Sequence, residues 1–164
     1  VIRIVSMRPR HLGAVLRIEN ELFPEPWSES LYRSELAQRA GRAYLVAKEG
    51  RMVLGYIGVL FAPGEAHVAT IAVTQCAQGK GIGTRLMYEG TKLATRAGAQ
   101  RFILEVATGN ERAQLLYNRF GFVPVHVRKG YYQKSGEDAY VMIASDLTTP
   151  KYEERLREIE ASLS

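Results

Sequence analysis

VTQCAQGKGIGTRLM, residues 73–87, is the stretch whose reading decides the fold. Its glycines fall at alternate positions, 79, 81 and 83, and stop where a helix-like run begins. Glycine adopts positive φ freely and lets a ligand or another backbone come close. Successive backbone N–H groups in such a turn, feeding a helix N-terminus, form a cradle for an anion such as a phosphate. The same spacing also suits a tight strand-to-helix turn without a ligand, and the turn alone leaves both readings open. Two nucleotide motifs are excluded. A Walker loop needs GxxxxGK followed by Ser or Thr, a spacing this segment lacks. A dinucleotide fingerprint needs a third glycine at residue 84, which is Thr. That fingerprint also follows the first strand of a βαβ unit, whereas this turn comes after three or four strands.

Working outward, IRIVSM (2–7) alternates apolar and polar residues and predicts a first strand, ended near Pro9. Leu12, Val15, Leu16 and Ile18 form one stripe, predicting a helix over residues 10–21. FPEPWS (23–28) cannot continue it, because two prolines remove donors and restrict their neighbours. Ser28 then caps a short second helix to about Arg39. AYLVAKEGRMVLGYIGVLF reads as two strands joined around Gly50, and EAHVATIAV (65–73) as another. After the glycine turn comes a helix to about Ala97, stopped by Gly98. RFILEV (101–106) predicts a strand and NERAQLLYNRF (110–120) a helix ended by Gly121. Two strands follow, near 122–130 and 139–144. In KYEERLREIEASLS, Tyr152, Leu156, Ile159 and Leu163 make a final helical stripe. The order ββββαβαββ behind a helical hairpin predicts an α/β protein with a mixed sheet and helices on its faces.

The 164 residues suit a single domain, assigned to 1–150, with a C-terminal helical extension over 151–164. That last segment is either a helix packed on the body or a partner-binding element. Net charge is +5, spread too diffusely to indicate nucleic acid but compatible with anionic ligands. No apolar run approaches the roughly 18 residues of a membrane span, and no secretory signal is read, so the expectation is a cytoplasmic protein. The one cysteine, Cys76, leaves no internal disulfide or cysteine-rich zinc site, and it is assigned to packing. His11, His67 and His126 lack ligand-like spacing with carboxylates, so no metal is expected. His67 is read as structural rather than catalytic.

Gln78-x-x-Gly81-x-Gly83 resembles the acetyl-CoA pyrophosphate signature of the GNAT N-acetyltransferases, and the resemblance extends over about residues 3–145. It implies a central, mostly antiparallel mixed sheet flanked by helices. It implies further that the turn of Gln78, Gly79, Lys80, Gly81, Ile82, Gly83 and Thr84 binds the pyrophosphate of acetyl-CoA through its backbone amides. Ile71, Ala72 and Val73 match the strand that lies along the pantetheine. LEV (104–106) and NERAQLLYNRFGF (110–122) match later cofactor and catalytic segments, with Asn110 touching the cofactor. FPEPWS and the pair Tyr131–Tyr132 narrow the resemblance to the RimI-type group, which acetylates the N-terminal alanine of a small-subunit ribosomal protein. By that resemblance Phe23 and Trp27 form one wall of a peptide groove, and Tyr131 and Tyr132 form the other. The read alternative is that these aromatics only pack the hairpin against the first helices. The group's pattern LEVR is LEVA here, with Ala107 in place of arginine.

Acetyl transfer from a thioester to an amine needs a neutral amine, an oriented carbonyl and a protonated leaving thiolate. A peptide α-amine has a pKa of about 7.7–8.0 against about 10.4 for lysine, so at neutral pH a carboxylate suffices to help it. Glu105 is the one acidic residue in RFILEV, a strand otherwise apolar from Phe102 onward. A carboxylate there is costly unless it is exposed, paired or used. Tyr117 lies seven residues after Asn110, about two helical turns. It is either a core aromatic or a phenol able to give a proton to a thiolate. The resemblance implies Glu105 as general base and Tyr117 as general acid. The expected acceptor is a protein N-terminus, with no direct nucleic acid or membrane partner, in a monomer or weak homodimer. The competing readings are a lysine or small-amine acetyltransferase of the same fold and a non-catalytic acyl-CoA-binding module.

Overall fold

The computed structural model describes residues 1–163. Strand β1 (Ile2–Ser6) leads to helices α1 (Leu12–Leu22) and α2 (Glu29–Ala37). Strands β2 (Arg42–Glu49), β3 (Met52–Ala62) and β4 (Glu65–Val73) follow, then α3 (Ile82–Arg96). The chain ends in β5 (Arg101–Ala107), α4 (Glu111–Arg119), β6 (Val123–Arg128), β7 (Ala139–Ala144) and α5 (Pro150–Ser162). The order agrees with the sequence reading. Helix α1 starts two residues later than its stripe suggests, because Pro9–His11 forms a 3-10 turn that His11 secures by accepting from the Arg8 N–H at 2.9 Å. Ser28 caps α2 as expected, accepting from the Leu31 N–H at 3.1 Å.

The seven strands run β1-β2-β3-β4-β5-β7-β6. The β1–β2, β2–β3, β5–β7 and β6–β7 pairs are antiparallel, and β4–β5 is parallel. The sheet is thus mixed and mostly antiparallel, with helices on it, as the fold class required. No helix among the described residues is long and apolar enough to cross a membrane.

The chain divides into two compact units. The first holds residues 1–60 and 69–90. Its core gathers Leu12, Val15 and Ile18 of α1 with Tyr32, Tyr44, Val46 and Tyr56, so the predicted α1 stripe is the buried one. The second holds residues 61–68 and the chain from Thr91 onward. Along β5 the alternation places Phe102, Leu104 and Val106 in its core and turns Ile103 and Glu105 to the other face. Phe102 packs on Phe122 with ring centroids 5.5 Å apart. Helix α5 buries Tyr152, Leu156 and Ile159, and the Tyr152 hydroxyl donates to the Phe120 carbonyl at 2.5 Å.

Candidate active site

In the second unit the face of β5 opposite the core carries Glu105, with its side chain only 12% exposed. The parallel register sets Glu65, Ala66 and His67 of β4 beside Arg101, Phe102 and Ile103 of β5. One consequence is a contact that linear spacing could not show. His67 Nε2 lies 2.7 Å from Glu105 Oε1. An ionised carboxylate only accepts, so the imidazole Nε2 is the donor. Of the three ways to carry an acidic residue in an apolar strand, the structure shows pairing.

Two further groups feel that carboxylate. Tyr131 and Tyr132 stack edge to face at 5.0 Å in the loop after β6. Burial first, then the Glu105 charge, raises the Tyr131 phenol. Burial also pushes Tyr132 up to about 12, helped by Tyr131, Glu105 and Glu137. The loop is held from both ends. Asp138 accepts from the Gly130 N–H at 2.8 Å, which lowers its own carboxyl pKa. Glu137 accepts from the Gly109 N–H at 3.1 Å, and the Tyr132 N–H donates to the Glu137 carbonyl at 3.1 Å. A Cβ on Gly109 would stand 2.7 Å from Glu137 Oε2, so a side chain there would push that carboxylate aside. Neither Glu137 nor Asp138 was singled out from sequence. Their signal was only a pair of acids beside Gly136 in a loop, which many solvated loops share.

Tyr117 sits on α4, 6% exposed, with its ring 6.0 Å from that of Phe122. Burial and then Tyr132 push its phenol well above the usual tyrosine range, so it stays protonated at neutral pH. The structure therefore shows the core-aromatic reading of Tyr117 in part, while keeping its hydroxyl in the electrostatic reach of Tyr132. Asn110 is the N-cap of α4 and accepts from the Ala113 N–H at 3.2 Å. That bond uses its Oδ1, leaving the amide NH₂ as the group a ligand would meet.

In the first unit, β4 ends at Val73 and the chain turns through Gln75–Ala77 toward α3. Cys76 is exposed there and the buried residue of the turn is Ala77, which corrects the assignment of Cys76 to packing. Gln78 donates its side-chain amide to the Val73 carbonyl at 3.0 Å, tying the turn to the strand end. Gly79 and Gly81 have φ of 82° and 81°, the left-handed region that a side chain resists. They flank Lys80, and all four residues 78–81 are exposed. Gly83 and Thr84 are already in the first turn of α3, which carries no acidic residue. Ile82 is 1% exposed and so offers a ligand only its backbone. Exposed alternating glycines, a lysine and the positive end of a 15-residue helix fit a pyrophosphate.

The FPEPWS loop belongs to the same unit. Phe23 and Trp27 pack on its core, and the Trp27 ring lies 5.1 Å from Tyr32. Their packing role is thus observed. What fixes the loop is Glu19, 1% exposed, which accepts from the Trp27 N–H at 2.9 Å and from the Tyr32 and Tyr56 hydroxyls at 2.5 and 2.8 Å. Three donors around one buried carboxylate compensate its lost hydration. Sequence pattern does not mark Glu19, because it falls among the polar residues of an amphipathic helix. Among the described residues no group of three or more His, Cys, Asp or Glu could hold a metal ion.

Known proteins resemble this chain in sequence and in fold. The acetyltransferase (GNAT) family matches residues 12–122. The N-alpha-acetyltransferase RimI of Mycobacterium tuberculosis is 39% identical over 148 residues, covering 82% of this chain and 91% of that protein. An N-alpha-acetyltransferase of Saccharolobus solfataricus is 32% identical, covering 84% and 89%. Among solved structures, the ribosomal-protein-S18-alanine N-acetyltransferase of Escherichia coli superimposes with a TM-score of 0.80 at 26% identity, covering 89% of this chain and 94% of that one.

Proposed function

The chain belongs to the acetyltransferase (GNAT) family and is an acetyl-CoA-dependent N-acetyltransferase; from that premise we propose that it acetylates the N-terminal α-amine of a protein. The acceptor we assign is the N-terminal alanine of a small-subunit ribosomal protein. Support comes from the relatives, whose names specify α-amine or ribosomal-protein alanine acetylation. The observation that carries the reading is the shielded Glu105 carboxylate, held by His67 and neighboured by Tyr131 and Tyr132.

Acetyl-CoA supplies an activated acyl group on a good leaving thiol. Residues 78–84 would hold its pyrophosphate, Ile71, Ala72 and Val73 would run along its pantetheine, and the Asn110 amide would donate to it. Glu105 takes the proton that the α-ammonium must lose before its nitrogen can attack. Because that ammonium has a pKa of about 7.7–8.0, an ordinary carboxylate, acting directly or through a water, is enough. The Tyr117 hydroxyl, kept neutral by burial, supplies the proton that the departing sulfur needs. The ammonium nitrogen loses two protons in all: one goes to Glu105 and on to solvent, and the other, lost as the adduct becomes an amide, makes good the proton that Tyr117 gives the sulfur. Phe23, Trp27, Tyr131 and Tyr132 are assigned to the acceptor peptide.

Mass spectrometry of two matched peptides with acetyl-CoA tests the acceptor. One begins with a free alanine, and the other has a blocked N-terminus and an internal lysine. The proposal expects one acetyl group on the alanine amine only. Modification of the lysine alone would transfer the assignment to a lysine acetyltransferase.

A further inference from the structure

Glu105 has a partner whose position suggests more than sheet stability. Strand alternation puts Glu65 and His67 on one face of β4 and Arg101, Ile103 and Glu105 on the adjoining face of β5. Arg101 is committed to Glu65 at 2.7 Å, so the next pair along the same face is His67 with Glu105, also at 2.7 Å. Across β5 on the other side, Glu105 faces the uncharged Val141 of β7. His67 is thus the side chain that holds the carboxylate, and it holds one oxygen, Oε1.

A glutamate side chain has several rotatable bonds, and a base that swings through its rotamers is aimed only part of the time. Anchoring Oε1 removes that freedom and leaves Oε2 as the oxygen available to an amine. We infer that His67 is the positioning residue of Glu105, donating Nε2–H to Oε1 so that the carboxylate is presented in one orientation. This rests on the reading of Glu105 as general base. His67 need not touch the substrate; its effect passes through the carboxylate. As a stabilising contact the pair counts for little, since the His67 side chain is 39% exposed. A role in rate and a role in folding therefore separate cleanly.

The test measures kcat and KM on an alanine-initiated peptide for wild type, His67→Ala, His67→Gln, Glu105→Gln and the His67→Ala/Glu105→Gln double variant. His67→Ala should lower kcat by roughly 10- to 100-fold, the rate equivalent of one hydrogen bond to a charged group. Both KM values should stay within about twofold. Gln places an N–H where the imidazole Nε2 was, so His67→Gln should recover most of the loss. In the Glu105→Gln background, adding His67→Ala should change nothing further, because the group it positions is already gone. Equal losses in both backgrounds, a His67→Ala enzyme with wild-type kcat, or a folded His67→Gln enzyme as slow as His67→Ala would each overturn the inference while leaving the general base standing. A Glu105→Gln enzyme with wild-type kcat would instead remove the general-base reading, and the role of His67 with it.

Discussion

Among single residues, the two proposed proton carriers sit in different surroundings. Glu105 is shielded and held at one oxygen by His67, 2.7 Å away. Tyr117 is buried, and burial disfavours its phenolate. Its raised pKa means that the neutral, proton-donating form persists well past pH 10. On the alkaline side the rate should therefore hold level to pH 10 instead of falling in a bell. A pH–kcat profile checks this. Tyr117→Phe keeps the ring against Phe122 and removes only the hydroxyl, so kcat should fall by roughly 10²–10⁴-fold with little loss of thermal stability. The sequence made Glu105 legible because a lone acid in an apolar strand is anomalous. It hid His67, since residues 67 and 105 meet only through a parallel pairing, and no local pattern announces which strands will be neighbours.

The elements show where sequence reasoning was strongest. Gly79 and Gly81 take the left-handed conformation that their alternation suggested, and Gly98 and Gly121 follow the helices they were expected to stop. Nothing lies within 4 Å of the place a Cβ would take on Gly81, so its requirement is conformational and not steric. Gly81→Ala should then cost about 1–2 kcal/mol of backbone strain and distort the amide cradle. The measurable result is a KM for acetyl-CoA raised by roughly tenfold, with the KM for peptide unchanged. Less legible was the device that fixes the FPEPWS loop. Two prolines mark the loop as rigid, but its anchor is Glu19 on the preceding helix, eight residues from the Trp27 N–H it binds. Glu19→Gln keeps the shape but replaces an acceptor oxygen by an NH₂ among three donors. It should raise the peptide KM and lower stability by about 1–3 kcal/mol, read by titrating peptide and by denaturant melts.

For the molecule as a whole, the order of strands and helices followed from periodicity, prolines and glycines, whereas the insertion of β7 between β5 and β6 did not. That insertion is a long-range choice, and it sets the antiparallel neighbour of the strand that carries Glu105. Acid stability is another global property with a local source. His11 is 5% exposed, and its Nε2 is buried without a hydrogen-bond partner among the described residues. Burial foremost, then Arg10, Lys48 and Arg8, lowers its pKa in the folded state. The unfolded chain takes up the proton near pH 6.5 and the folded chain resists it, so stability falls as pH drops through 6.5 toward the lowered value. His11→Asn retains an acceptor for the Arg8 N–H but cannot titrate there. The stability difference between wild type and this variant should shift in the variant's favour between pH 7 and pH 5, as followed by thermal melts. In the proposed reaction Glu105 takes a proton from an N-terminal amine. That step is tested most directly by comparing wild type and Glu105→Gln on the alanine-initiated peptide from pH 6.5 to 9.5. If Glu105 is the base, the variant's deficit of roughly 10²–10⁴-fold at neutral pH should narrow as the amine deprotonates on its own. A variant as fast as wild type at neutral pH, or one whose deficit is the same at every pH, would contradict it.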